Sequence, residues 1–410
     1  MSVSAAFWVL QAMTAILYLL MYVLMFAAAW RLRIKQPDLA RPFRVPLLPL
    51  VVSAGILASI AGIVIGLVLI YLAIAKKYEP ALLLPIGFGT ILTNIPLSAA
   101  VGEHGPLKIL FDAGITTELF PLLIFIGIGA MIDFTPLLKN PSMLLFGAAA
   151  QLGIFVTLIA ATLLGFDLKQ AGAIGIIGAA DGPTSIYVAN RFARELLPAI
   201  SVAAYSYMAL VPIIQPPVIR LLTTREERKI HMDYNSGDVP KVVKVIFPIA
   251  ITLIAGILVP ASVALIGFLM FGNLIRECGV LEGLSKTAQN ELVNIVTIFL
   301  GISIASTMKG ANFLRPETLL IFCLGLVAFV FDTAGGVLFA KLLNLFRKQK
   351  INPMVGACGI SAFPMSARVV HNMGQKEDPF NFLLMPAVSI NVGGQIGSVI
   401  AGGLILALLG

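Results

Sequence analysis

Apolar runs of about 18 residues or more recur along the whole chain, at about residues 5–30, 46–75, 119–138, 142–164, 196–219, 245–272, 290–307, 318–340 and 383–409. A helix of that length matches the hydrocarbon thickness of a bilayer. No water is available there to satisfy backbone groups, so the spans must be helices or a closed barrel. The runs are continuous rather than alternating, which excludes the barrel. The expectation is an all-α polytopic membrane protein, multi-pass in the cell inner membrane. Composition agrees: 59% of the 410 residues are hydrophobic and 12% charged, against about 25% charged in soluble domains. The net charge of +8 reads as positive-inside loop bias rather than nucleic-acid binding. Basic residues cluster at 31–44, 220–244 and 341–350, and these loops are assigned to the cytoplasmic side.

Three segments break the pattern. Residues 81–100, 171–190 and 353–370 are short, apolar and interrupted by Gly and Pro. Such segments at corresponding places in two halves point to a transporter binding site. Gly175, Gly178 and Pro183 recur as Gly356, Gly359 and Pro364, displaced by 181 residues. The same displacement lays run 142–164 over 323–345 and sets Gln151 opposite Asp332. The loop "FDLKQ" is uncharged overall, whereas "KLLNLFRKQK" is strongly basic. The two halves, around 142–190 and 323–370, are therefore expected as inverted repeats. Each sends a broken Gly/Pro-rich hairpin toward the midplane, where unwound backbone supplies oxygen ligands.

Carboxylates inside apolar runs cost free energy, so each is a candidate for function. Asp133, near a helix end, fits an interfacial cap as well as an ion role. Asp332 in "FVFDTAGG" lies deeper. Asp181 in "GAADGPT" is flanked by helix breakers, and Thr184 adds a hydroxyl. Sodium, a hard cation, prefers such oxygen ligands. In "INPMVGACGISAFPMSAR", Asn352 offers an amide oxygen, Ser361 a hydroxyl, and Gly356 and Gly359 close backbone approach. Arg368 fits either an anion partner or a snorkelling arginine at the membrane edge. Tyr205 and Tyr207 lie inside a run, so at least one is expected buried and hydrogen-bonded; a buried phenol can deliver a proton. Cys278, Cys323 and Cys358 read as small apolar residues. His104, His231 and His371 lack metal spacing. No phosphate-binding loop is present, and the neighbours of Lys309 in "TMKG" do not suit biotin attachment.

The stretches "GAIGIIGAADGPTSIYVAN", "VAAYSYMALVPIIQPP" and "NPMVGACGISAFPMSARVV" resemble the β subunit of the sodium-translocating biotin-dependent decarboxylases, which serve oxaloacetate, methylmalonyl-CoA and glutaconyl-CoA decarboxylases. The likeness runs from about residue 65 to the C-terminus. It implies a two-part, elevator-type protein with inverted repeats that assembles as an oligomer. It implies partners: a carboxyltransferase α subunit, a biotin-carrier subunit and a small membrane γ/δ subunit. Carboxybiotin on the carrier would be decarboxylated, consuming a proton, while sodium leaves the cell; no biotin is attached to this chain. The family's functional positions match here as Asp181, Tyr207, Asn352, Gly356, Ser361 and Arg368. Asp181, Thr184, Asn352, Gly356 and Ser361 are thus expected to bind sodium, with Arg368 toward carboxybiotin and Tyr207 in the proton path. Two departures stand out. The C-terminal "NFLLMPAVSINVGGQIGSVIAGG" lacks the His-Ala-Met-Gly-Pro-Asn run of oxaloacetate-type members, which tips the reading toward the acyl-CoA decarboxylases. The start, "LYLLMYVLMFAAAWRLRIKQPDLARPFRVP", resembles an amino-acid permease, so 1–50 reads as an appended segment and 51–410 as the pump domain. The rivals are a sodium-coupled carboxylate transporter without chemistry and a non-catalytic scaffold.

Overall fold

The computed structural model describes residues 31, 35, 48–76, 80–96, 98–102, 104–232, 238–310, 315–362 and 364–410. The run 5–30, and with it nearly all of the permease-like segment, lies outside the described residues. Among the described residues every regular element is a helix. Six helices are long and apolar enough to cross a membrane, and eight do so if each of two bent pairs counts as one span. That matches the expected class.

The chain divides into two compact units. The first holds Met1–Asp112 and Gly301–Leu319. Its helices α1 (Leu48–Ala75) and α2 (Pro80–Asn94) meet at glycines: a Cβ on Gly66 would stand 2.7 Å from the Gly87 carbonyl oxygen, and one on Gly87 2.8 Å from that of Gly66. Small residues let membrane helices approach this closely. Asn94 then ties in the later segment, donating to the Met308 carbonyl at 2.7 Å and accepting from the Gly310 N–H at 2.7 Å. Segment 81–100, expected to be broken, is instead continuous through α2. Its Pro85 lies early in the helix, where the lost N–H disturbs only the first turns.

The second unit holds Ala113–Leu300 and Leu320–Gly410. It contains α3 (Leu119–Met131), α4 (Leu144–Ala149), α5 (Leu152–Leu163), α6 (Leu168–Gly175), α7 (Gly182–Phe192), α8 (Leu197–Leu222), α9 (Lys241–Leu258), α10 (Val263–Glu277), most of α11 (Val293–Ala305) and α12 (Pro316–Phe346), then α13 (Met365–Glu377) and α14 (Leu384–Leu409). The run 245–272 resolves into α9 and α10 around Pro260, as its proline allowed. Span 119–138 is shorter than expected: α3 stops at Met131 and is bent by 63° from Pro106–Thr116, with Glu118 in the left-handed region between them at φ 64°.

Run 142–164 is found as one span, Pro141–Leu163, and run 196–219 as a bent pair. Within the first, a two-residue turn at Ala150–Gln151 separates α4 from α5. The Gln151 side-chain amide takes the Gly147 carbonyl at 2.8 Å, and its backbone N–H moves to Ala148, three residues back. A side chain competing for the i−4 carbonyl is a recognised cause of a kink. In α8 the parts Leu197–Met208 and Leu210–Leu222 diverge by 66°, because Pro212 has no N–H to return to Met208.

Segments 171–190 and 353–370 are broken as expected. In the first, α6 runs into a 3-10 turn at Ile176–Ala179, Ala180 turns left-handed at φ 51°, and α7 begins at Gly182. In the second, a 3-10 helix at Pro353–Gly359 gives way to an extended Ile360, and α13 begins at Met365. Gly356 and Gly336 meet backbone to backbone: a Cβ at Gly356 would stand 2.5 Å from the Gly336 carbonyl carbon. Gly336→Ala is therefore expected to cost about 1–3 kcal/mol, the range of core overpacking. Gly55→Ala, with nothing within 4 Å, should leave stability unchanged or raise it by about 0.5–1 kcal/mol. Thermal unfolding in detergent checks the pair.

Candidate functional site

Asp181 is 4% exposed and caps α7. Its Oδ1 accepts the Thr184 N–H at 3.2 Å and its Oδ2 the Thr184 hydroxyl at 2.7 Å. The left-handed Ala180 and Pro183 at the second helical position force the helix to restart here, so the sequence GAADGPT builds its own N-cap. The freed N–H groups and the positive end of α7 stabilise a carboxylate that would otherwise be costly in an apolar interior.

The second broken segment arrives at the same spot. The Ser361 N–H donates to the Ala179 carbonyl at 3.0 Å, and its hydroxyl reaches Asp181 Oδ2 at 3.4 Å. Asp181, Thr184 and Ser361 thus form one buried group with one carboxylate and two hydroxyls. Hydroxyls rotate, so both can turn their lone pairs toward a cation while the carboxylate neutralises it. Donors of this kind suit a hard cation and no soft metal.

The remaining expected residues lie elsewhere. Asn352 caps the other end of the 3-10 helix, accepting from Met354 N–H at 3.1 Å and donating to the Arg228 and Ile230 carbonyls at 2.9 and 2.8 Å. About 14 Å of 3-10 helix, at ~2 Å per residue, lies between it and Ser361. The structure therefore does not bring Asn352 to Asp181. Gly356 holds its segment against Gly336. Tyr207 donates to the Phe322 carbonyl, whereas the ring of Tyr205 lies over Gly182, where a Cβ would stand 2.6 Å from the phenol oxygen. The tyrosine beside the Asp181 turn is thus Tyr205. Arg368, on α13, is exposed and has no side-chain hydrogen bond or ion pair among the described residues. Asp133 takes the capping option: its Oδ1 accepts the Thr135 N–H at 2.8 Å.

Unwound backbone was expected to offer carbonyls to an ion. In the second segment those carbonyls are already engaged by side-chain donors. Ala357 accepts from Gln215 at 2.8 Å and Ser366 at 3.2 Å, Cys358 and Ile360 from Asn391 at 3.2 and 2.7 Å, Gly359 from Gln151 at 3.4 Å, and Ser361 from Gln395. Asn391 and Gln395 were passed over in the sequence. Their signal was present: two amides four residues apart in an apolar run share one helix face.

At one end of this unit the basic clusters meet. Lys341 donates to the Leu222 carbonyl at 3.0 Å and pairs with Glu227 at 3.1 Å. Arg228 pairs with Glu377 at 2.8 Å, and His231 with Asp378 at 2.9 Å. Clusters 220–244 and 341–350 thus share a side, as one cytoplasmic face requires.

Residues 58–409 match the family described as Na+-transporting oxaloacetate decarboxylase beta subunit. The chain is 51% identical over 372 residues to the glutaconyl-CoA decarboxylase subunit beta of Acidaminococcus fermentans, covering 90% of this chain and 99% of that protein. It is 51% identical over 371 residues to the methylmalonyl-CoA decarboxylase subunit beta of Veillonella parvula, covering 90% and 98%. It is 46% identical over 405 residues to the oxaloacetate decarboxylase beta chain of Klebsiella pneumoniae, covering 84% and 93%.

Hydrogen bonding to Arg228 holds the Glu377 carboxyl below its ordinary value of 4.5. A carboxyl lowered on folding stabilises the fold above its unfolded value and loses that effect as pH falls through the folded one. Glu377→Gln is expected to lower the unfolding midpoint at all pH above about 5, with the gap closing in more acid solution. Paired melting curves between about pH 3 and 8 check this.

Proposed function

Because this chain belongs to the family of Na+-transporting decarboxylase beta subunits, we propose that it decarboxylates carboxybiotin presented by a biotin-carrier subunit and uses that reaction to export sodium. The observation that carries the reading is the meeting of Asp181, Thr184 and Ser361 where the two broken segments touch. A scaffold would gain nothing from a buried carboxylate there. Sodium enters from the cytoplasmic side and is held by these three residues. Asn352 and Gly356 act on the site through the 3-10 segment they anchor. Arg368, exposed and with no ion pair among the described residues, receives the substrate carboxylate.

Loss of CO2 leaves an electron pair on the biotin nitrogen, and one proton must arrive to fill it. Tyr205, over the Asp181 turn, and Tyr207 are the phenols at hand for that transfer. Removing the substrate's negative charge weakens the sodium-holding state, which then opens outward. Each charge moved outward against 100 mV costs about 2.3 kcal/mol, so the two states must differ in sodium affinity by at least that order. The halves 142–190 and 323–370 act as inverted repeats in an elevator-type movement, within an oligomer that also holds the carboxyltransferase α and small membrane γ/δ subunits. The complex serves an acyl-CoA, supported by the C-terminal run and by 51% identity to the glutaconyl-CoA and methylmalonyl-CoA relatives against 46% to the oxaloacetate one.

The test is decarboxylation of free carboxybiotin by the purified chain in vesicles, with and without sodium. Sodium-dependent turnover is expected. Asp181→Asn keeps a good helix cap and should fold, but lose about 100-fold or more of that turnover, the loss a buried site charge commands. Sodium-driven carboxylate uptake without turnover would overturn the reading in favour of a plain transporter.

A further inference from the structure

Gln151 and Asp332 are buried polar side chains in apolar helices, and the proposed chemistry uses neither. They are 181 residues apart, the same displacement that relates Gly178 to Gly359. The structure connects these four residues crosswise. Gln151, at the α4–α5 break, donates to the Gly359 carbonyl at 3.4 Å. Asp332, on α12, lies against Gly178, where an added Cβ would collide with its Oδ2. The surroundings follow the same exchange. A Cβ on Gly178 would stand 2.9 Å from the Ala328 Cβ of α12, and one on Gly359 would stand 2.6 Å from the Ala150 Cβ beside Gln151. Within each half the earlier glycine instead meets its own long helix: Gly175 meets Ile154, and Gly356 meets Gly336.

Each of the two side chains also has one engaged and one unengaged atom. Asp332 Oδ1 accepts the Gly153 N–H at 2.5 Å, while its Oδ2 has no hydrogen-bond partner among the described residues. Gln151 Nε2 holds the Gly147 and Gly359 carbonyls, while its Oε1 has no partner among the described residues. A buried polar atom without a partner is costly, and here the cost occurs twice at matched positions.

We propose that Gln151 and Asp332 are an equivalent pair of positioning residues, each carried by the long helix of one half and set against the glycine turn of the other half's broken hairpin: Gln151 bonds the Gly359 carbonyl, and Asp332 packs on Gly178 while its Oδ1 accepts the Gly153 N–H of α5. The Gly178 turn leads directly to Asp181, and the Gly359 turn to Ser361. The pair thereby sets how the two parts of the cation group meet. Neither hairpin can shift without the long helix of the opposite half following. One partner is a neutral amide, so the role needs hydrogen bonding and shape, not charge. The proposal concerns the fold around Asp181; only its sodium readout rests on the function proposed above.

Hydrogen–deuterium exchange of the whole chain in detergent tests it. Asp332→Leu is expected to speed exchange at residues 176–184 by about tenfold or more, and Gln151→Leu to do the same at 356–361, each in the half opposite its own helix. Asp332→Asn should retain protection within about threefold of the original. Uniform acceleration everywhere, acceleration confined to the variant's own helix, or an Asp332→Asn protein as loose as Asp332→Leu would each overturn the pairing. In the same proteins the sodium concentration for half-maximal thermal stabilisation should rise about tenfold or more for both Leu variants and stay near the original for Asp332→Asn. If the unaltered chain shows no sodium response at all, the function proposed above fails, and the exchange pattern alone decides the pairing.

Discussion

A backbone polar group inside a bilayer has no water to turn to, and segments 171–190 and 353–370 each break a helix. Everything around the site follows from satisfying what those breaks release. At the first break the freed Thr184 N–H of α7 is met by Asp181, a side chain from the break itself. At the second the freed carbonyls from Ala357 to Ser361 are met by amides brought from elsewhere: Gln215 on α8, Gln151 at the α4–α5 junction, and Asn391 and Gln395 on α14. The first break thus gathers negative charge beside donors, and the second gathers donors beside carbonyls. Where they touch, Asp181 and Ser361 face one another.

Close approach is the second requirement. Amides can span from a helix to a neighbouring turn only if the backbones lie almost in contact, and glycines allow that. Gly147 meets Gly393, Gly336 meets Gly356, and Gly359 lies against Phe146 and Ala150. The glycines that look like flexibility in the sequence are contact points in the fold. Gln151 shows the same economy: one side chain takes the Gly147 carbonyl of its own helix and the Gly359 carbonyl of the opposite hairpin.

Arg228, Glu377, His231, Asp378, Lys341 and Glu227 form a paired cluster at one end of the second unit. Asn352 and Asn381 both donate to the Arg228 and Ile230 carbonyls from beneath it. Asn352 therefore joins this cluster to the 3-10 helix that ends at Gly359, two residues before Ser361. Arg368 is exposed and has no ion pair among the described residues.

Apolar run lengths determined the helical membrane class, because only a few backbone geometries survive in lipid. Gly-Pro spacing located both broken segments, and the short-range pattern of GAADGPT determined the Asp181 cap, because capping is a contact between near neighbours in sequence. The run "FGAAAQLGIF" gave no warning of the turn at Ala150–Gln151, where the Gln151 side chain takes the Gly147 and Gly359 carbonyls. The choice between Tyr205 and Tyr207, the separation of Asn352 from Asp181, and the amides that take up the 357–361 carbonyls were decided by tertiary structure alone. Each depends on which helix face lies opposite, and a single sequence records spacing along a helix but not the partner across it.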